Sequence, residues 1–281
     1  MQGLNASYLE IEPYELVCFL LKESGQYDKE AVNPFGILDY LKLNYLTFNF
    51  DTVLPLEVKP EGSQPRALLS YSDRLVAVDD NLAPPRERFS TLHEIAHYVL
   101  PTHQHSMYLC DSQGMSHRTH LTFEKTANEF AADMLFKGGM FSIDVAAMGI
   151  SVKTITTLAA KYQASFEATA RRLAERSLRP VMLAVFKNTA GTRRINADTS
   201  PNWDVRYCIA SPIFKSRFFT HVNGSAPSDI AAELTSSYRD IEESITRIIE
   251  IDTSAGQSQQ FTGEFFYNQY NIFALLTPAN S

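Results

Sequence analysis

The chain has 281 residues, 44% hydrophobic and 20% charged, with 18 Phe, 13 Tyr and a net charge of −7. That balance excludes a disordered chain, allows one large domain or two to three small ones, and argues against a chain-wide nucleic-acid footprint, which would be basic. The three cysteines, Cys18, Cys110 and Cys208, are too few and too scattered for a disulfide framework. They predict a reducing, cytoplasmic setting. The stretch around Glu10 and Glu12 has no apolar core of the kind a secretion signal carries. No apolar run approaches the roughly 20 residues that span a bilayer, so no membrane partner is expected.

In chain order, the pattern predicts a helix over 14–23, a second over 35–43 and a strand over 45–50. Two prolines and a glycine mark 53–64 as a loop. Short apolar runs at 66–71 and 75–78, separated by Ser72-Asp73-Arg74, predict a β-hairpin. Pro84-Pro85 then opens a helix over 86–100, because proline is tolerated in a first turn, and Pro101 closes it. Residues 102–120 read as polar and irregular. A helix resumes over 122–136 and breaks at Gly138-Gly139.

Residues 154–160 and 166–176 predict two short helices joined by 161–165, the outline of a helix-turn-helix. Beyond Pro180, strands are expected at 181–186, 205–210, 218–222, 263–267 and 270–276. An amphipathic helix or a broken pair is expected within 230–251, and polar loops at 189–201 and 253–260. This is the layout of a small α/β or α+β domain. The whole reads as α+β, in three parts: 1–148, 149–178 and 179–281.

The chemistry concentrates in His93-Glu94-Ile95-Ala96-His97. His93 and His97 stand one helical turn apart, so both imidazoles project from one face. Two neutral imidazoles on one face suit a tetrahedral zinc ion. Glu94 lies beside His93, in the general-base position of the H-E-x-x-H pattern, where it can take a proton from water without being a ligand. Coordination lowers the pKa of water from about 15.7 to about 7, within reach of a carboxylate near neutral pH. The blander reading is an exposed helix with two incidental histidines. Against it, Leu92, Ile95, Ala96 and Val99 supply a packing face and prolines mark both helix ends.

A catalytic zinc site needs a third protein ligand and one open position. Glu124 is the best candidate by spacing. It shares a helix face with Asn128 and Ala131 or Ala132, and Ala127, Ala131 and Ala132 would let that helix pack closely. Glu129, Asp133, His117 and His120 remain alternatives. Two histidines and a glutamate accept zinc or manganese.

These two blocks resemble the ImmA/IrrE-type metallopeptidases. The first is Arg88-Phe89-Ser90-Thr91-Leu92-His93-Glu94-Ile95-Ala96-His97. The second is Glu124 with Ala127-Asn128 and Phe130-Ala131-Ala132. The resemblance implies a zincin-like, mostly helical protease domain with a small β-hairpin or sheet, and puts Glu124 in the family's ligand position. It further implies a bacterial intracellular endopeptidase acting on a helix-turn-helix transcriptional repressor, which turns on a stress or mobile-element response. The longer layout is similar to members with a helix-turn-helix and a GAF-like, sensor-like C-terminal domain. One departure is visible: Leu135-Phe136-Lys137, followed by glycines, replaces the family's usual Leu-Met-Pro type ending of the second block.

Other signals carry two readings each. In zinc proteases of this general type an edge strand holds an extended peptide by β-augmentation, and Leu75-Val76-Ala77-Val78 is the candidate edge; the alternative is a core hairpin. Lys153, Lys161, Arg171, Arg172, Arg176 and Arg179 would suit a DNA-reading helix pair. The apolar Ala168, Leu173 and Ala174 favour a structural or repressor-docking pair instead. His103, His105, His117 and His120 read as solvated loop histidines, or as groups that orient substrate. Tyr71, Tyr98 and Tyr108 read as oxyanion donors or as core. Cys110 reads as a loop cysteine or a redox-sensitive metal contact. Trp203, Arg206, Tyr207, Phe218 and Phe219 read as a small-ligand pocket or as core. The competing class is a non-catalytic DNA- or protein-binding regulator with a structural or vestigial metal site.

Overall fold

Proline and glycine set the element boundaries. The computed structural model describes residues 12–50, 66–104, 117–188, 203–218, 244–252, 258–268 and 270–279. It shows a mixed α+β chain that divides into two compact units, residues 1–141 with 160–165, and residues 142–159 with 166–281.

In the first unit, α1 (Pro13–Glu23) starts on its proline and buries Leu16, Val17, Leu20 and Leu21, one stripe of a 3.6-residue period. Helix α2 (Pro34–Leu41) is capped by Asn33, whose side chain accepts from the Phe35 N–H at 3.1 Å. Three strands follow: β1 (Asn44–Phe48), β2 (Ala67–Ser70) and β3 (Leu75–Asp79). The predicted hairpin forms, with Ala67 opposite Val78 and Ser70 opposite Leu75. Strand β1 then pairs parallel to the other side of β3, giving the order β1-β3-β2. Leu75 to Val78 is therefore the central strand and not an edge. Val76, Ala77 and Val78 are fully buried, so this candidate peptide-binding edge is withdrawn.

Helix α3 (Pro84–Val99) opens on Pro84-Pro85 as expected and buries Thr91, Leu92, Ile95 and Ala96. Helix α4 (His117–Leu135) begins five residues earlier than the sequence pattern placed it. Ala96 of α3 and Ala127 and Ala131 of α4 are fully buried, so small side chains face the helix pair and allow close approach. The departure after Leu135 has a local cause. Lys137 and Gly138 both take positive φ, 52° and 57°, and the Gly138 N–H closes the helix on the Asp133 carbonyl at 2.8 Å. A Cβ at Gly138 would also lie 2.8 Å from the Tyr14 ring, so glycine is needed there on both counts. Helix α5 (Met140–Met148) follows and was not expected from the sequence.

Helices α6 (Val152–Tyr162) and α7 (Phe166–Arg176) lie where two short helices were predicted. Ser151 caps α6 by accepting from the Thr154 N–H at 3.0 Å, and Glu264 accepts from the Val152 N–H at 2.7 Å.

The second unit holds a five-stranded antiparallel sheet of order β5-β4-β8-β7-β6, formed by β4 (Met182–Asn188), β5 (Trp203–Ala210), β6 (Ile245–Asp252), β7 (Ser258–Tyr267) and β8 (Asn271–Pro278). Met182, Ala184 and Phe186 of β4, which lies between β5 and β8, pack with Phe261, Phe265, Ile272 and Ala274. Phe214 of the short helix α8 (Pro212–Arg217) joins that cluster. Phe166 of α7 packs on Phe266 and Phe273, with ring centroids at 4.4 and 5.0 Å.

Three expectations meet a different outcome here. The helix sought within 230–251 is a strand from Ile245 on, with Ile249 and Ile251 buried and Ile248 exposed in alternation. Phe218 ends α8 and does not start a strand; residues 219–243 lie outside the described residues, as do the loops at 53–64 and 189–201. The polar loop expected over 253–260 ends early, because Ser258 already opens β7. Among the described residues, no helix is long and apolar enough to cross a membrane.

Candidate metal centre

Helix α3 carries His93 and His97 on one face, and their Nε2 atoms lie 3.1 Å apart. Helix α4 brings the carboxylate of Glu124 against both: Oε2 is 3.3 Å from His93 Nε2 and Oε1 is 3.4 Å from His97 Nε2. These three residues are the one His/Cys/Asp/Glu cluster among the described residues that could hold a metal ion. Two donors of a tetrahedral zinc ion with bonds of about 2.0–2.1 Å lie about 3.3 Å apart. The three observed separations match that edge, and two imidazoles with one carboxylate form a donor set suited to a divalent ion. The residues present therefore fit the group. The histidine side chains are 16% and 19% exposed and Glu124 is 38% exposed, so one side of the cluster stays open to solvent.

Electrostatics follow the geometry. The hydrogen bond from His93, then that from His97, holds the Glu124 carboxyl well below the usual carboxylate range, although burial opposes this. Burial disfavours charge on His93, but Glu124, the nearby Glu94 charge and a polar contact with Asn128 outweigh it and raise its pKa. Burial raises the pKa of Glu94, while the neighbouring imidazoles pull it down in part. A carboxyl pushed upward in this way holds a proton more readily than a solvated one, the property a group that receives and returns a proton requires.

Of the other third-ligand candidates, Glu129 and Asp133 lie outside the cluster. The side chains of His117 and His120 lie outside the described residues, as do His105, Tyr108 and Cys110. His103 is no solvated loop histidine. It sits in a helical turn at 101–104, is 2% exposed, and places its Nδ1 3.0 Å from Nδ1 of His97. Its ring stacks near Phe123, with centroids 4.6 Å apart. Burial, then the charge of His97, lowers its pKa to about 4. Its spacing, six residues past His97, lay in a polar stretch that gave no sign of burial.

Tyr71 does not point at an open oxyanion position. Its hydroxyl donates to the His97 carbonyl at 2.5 Å, and its ring stacks on Tyr98. Burial, then the Glu94 charge, raises its pKa. Arg88, from the first of the two sequence blocks, donates to the Val32 carbonyl and to the Gln163 side chain, which makes it an anchor of α3.

Two arginines of the basic helix pair are engaged within the fold. Arg172 is 5% exposed, and Arg171 pairs with Glu175 at 2.9 Å and lies over the Tyr207 ring. The suggested pocket residues do not share one face. Trp203 and Phe218 belong to the sheet's core cluster, whereas Arg206 and Tyr207 both donate to Glu167 of α7 at 2.8 Å. Phe219 lies outside the described residues.

Comparison with known proteins adds three findings. No curated protein matches the chain. A solved structure of a Mycobacterium tuberculosis transcriptional regulator shares the fold with a TM-score of 0.54 at 12% identity, covering 96% of this chain and 89% of that one. Residues 53–174, which include both helices of the His93–His97–Glu124 cluster, match the model of the Peptidase M78 family, the IrrE N-terminal-like domain, a metallopeptidase-type family.

Proposed function

We propose that this chain is a metal-dependent endopeptidase that cuts another protein, a helix-turn-helix transcriptional repressor, in the cytoplasm, and so turns on a stress or mobile-element response. The observation that carries the reading is the convergence of His93, His97 and Glu124 on one point, with Glu94 beside them. The protease unit is read as zincin-like. The three-residue set binds the ion. A divalent ion held there, zinc or manganese, supplies Lewis-acid polarisation of a carbonyl and acidifies a water. Glu94 takes a proton from the attacking water and returns it to the leaving amine. The match to the IrrE N-terminal-like domain supports this chemistry; the repressor substrate rests on the resemblance of the two sequence blocks.

Strand β2 packs against α3 and, among the described residues, is an edge strand of its sheet. An extended peptide added to that edge would lie beside the centre. The pair α6–α7 is read as a helix-turn-helix-like segment that docks protein, because two of its arginines are engaged within the fold. The five-stranded sheet with α7 on it supports a GAF-like, sensor-like reading of 179–281.

A second reading, a non-catalytic transcription regulator, draws on the solved transcriptional regulator that has the same fold. Two readouts separate them, cleavage of the repressor and biological output. The chain is incubated with helix-turn-helix repressors encoded nearby, and products are followed by mass spectrometry, with and without chelator and with Glu94→Gln. Cleavage lost in both controls supports the protease. Biological output unchanged in Glu94→Gln supports the regulator.

A further inference from the structure

We propose that His103 is a positioning residue of the metal centre, its Nδ1 accepting the Nδ1–H of His97 and thereby fixing the tautomer that turns the His97 Nε2 lone pair toward His93 and Glu124. The inference rests on the metal-centre reading above.

Two imidazole Nδ1 atoms 3.0 Å apart form a hydrogen bond only if one donates and the other accepts. His97 directs Nε2 at His93 Nε2 and at the Glu124 carboxylate. A ligand nitrogen needs its lone pair, so Nε2 carries no hydrogen when a metal is held and Nδ1 must carry it. His103 is then the acceptor. Ligating histidines commonly give their second N–H to a fixed partner, which locks the ring and raises ligand basicity.

His103 is built to stay in place. Its backbone N–H bonds to the Leu100 carbonyl at 3.0 Å, one residue past the end of α3. Its ring rests on Phe123, the residue before Glu124. It thus touches both helices that carry the ligand set. Its buried Nε2 has no hydrogen-bond partner among the described residues, so within them the pairing with His97 is the hydrogen bond that orients the ring.

The test measures zinc affinity of the full chain by competition with a chromogenic chelator. His103→Phe keeps the ring and loses the acceptor; His103→Asn keeps an acceptor close to the Nδ1 position. Expected are a loss of about 10–100-fold in affinity for His103→Phe and recovery of most of it in His103→Asn. Affinity in His103→Phe within twofold of the unaltered chain overturns the inference, as does an equal loss in both variants, which would mark a packing role. Absence of zinc binding in the unaltered chain overturns the metal-centre reading and this inference with it. Should His103→Phe fail to fold, nitrogen-15 NMR of the zinc-loaded unaltered chain decides. A protonated His97 Nδ1 is expected, and an unprotonated one overturns the proposal.

Discussion

The Tyr71 hydroxyl stands in for the backbone donor that Pro101 lacks. In a continuing helix the His97 carbonyl would accept from the N–H of residue 101, but proline has none. Tyr71 donates to that carbonyl at 2.5 Å, and the Gln104 side chain donates to the next one, of Tyr98. The C-terminal turn carrying His97 is therefore closed by side chains. Tyr71→Phe leaves the carbonyl unpaired at a cost of about 1–3 kcal/mol. Thermal unfolding should show a midpoint lower by several degrees, while cleavage stays within tenfold. A drop of about 10²–10³ in rate would instead assign Tyr71 to an oxyanion.

In the proposed reaction Glu94 moves a proton and does not hold the ion. Glu94→Gln should keep metal content and unfolding midpoint close to the unaltered chain, and lose about 10²–10⁴ in cleavage rate. Elemental analysis beside a turnover assay checks this. Loss of the metal in the variant would make Glu94 part of the ligand set.

Arg88 fixes α3 to two other segments through Val32 and Gln163. Arg88→Ala should cost about 1.5–3 kcal/mol, the range for hydrogen bonds made by charged groups. Arg88→Lys should recover under half of it, since an ammonium cannot reproduce the fork of two donors. Urea midpoints at constant slope measure both. An Arg88→Ala midpoint equal to that of the unaltered chain would show that the anchor is not formed in solution.

Cys208 packs against the core of the five-stranded sheet, and burial pushes its thiol from 9.0 up to about 12. The folded chain binds this proton more tightly than the unfolded one. The associated stability is complete below pH 9 and is lost as pH rises through about 12. Since the thiolate is the reactive species, iodoacetamide at pH 8.5 should label Cys208 only after denaturation. Labelling of the native chain at a free-thiol rate would contradict the burial.

The local part of this architecture was legible in the sequence. Proline placed the start of α3, H-E-x-x-H spacing put two imidazoles on one face, and short apolar runs separated by Ser72-Asp73-Arg74 marked the β2–β3 hairpin. What escaped was decided at long range. Strand β1 inserts beside β3 across more than 25 residues, which turns Leu75 to Val78 from an edge into a centre. The run Ile245 to Ile251 fits both a helical and an alternating period, and only pairing with β7 resolves it, although its β-branched residues favoured a strand. His103 sits among polar neighbours, and its burial comes from the approach of α3 and α4. Glu124 was favoured over Glu129 and Asp133 by its helix face, and the structure brings that carboxylate to both histidines.

The central claim is that His93, His97 and Glu124 together hold one divalent ion. Metal content per chain, measured after loading and exhaustive dialysis, tests it most directly in the unaltered chain and in Glu124→Ala. The account predicts about one ion per chain in the first and a loss of most of it in the second, with both folded. An unaltered chain that retains no ion, or a Glu124→Ala chain that retains it in full, would contradict the account.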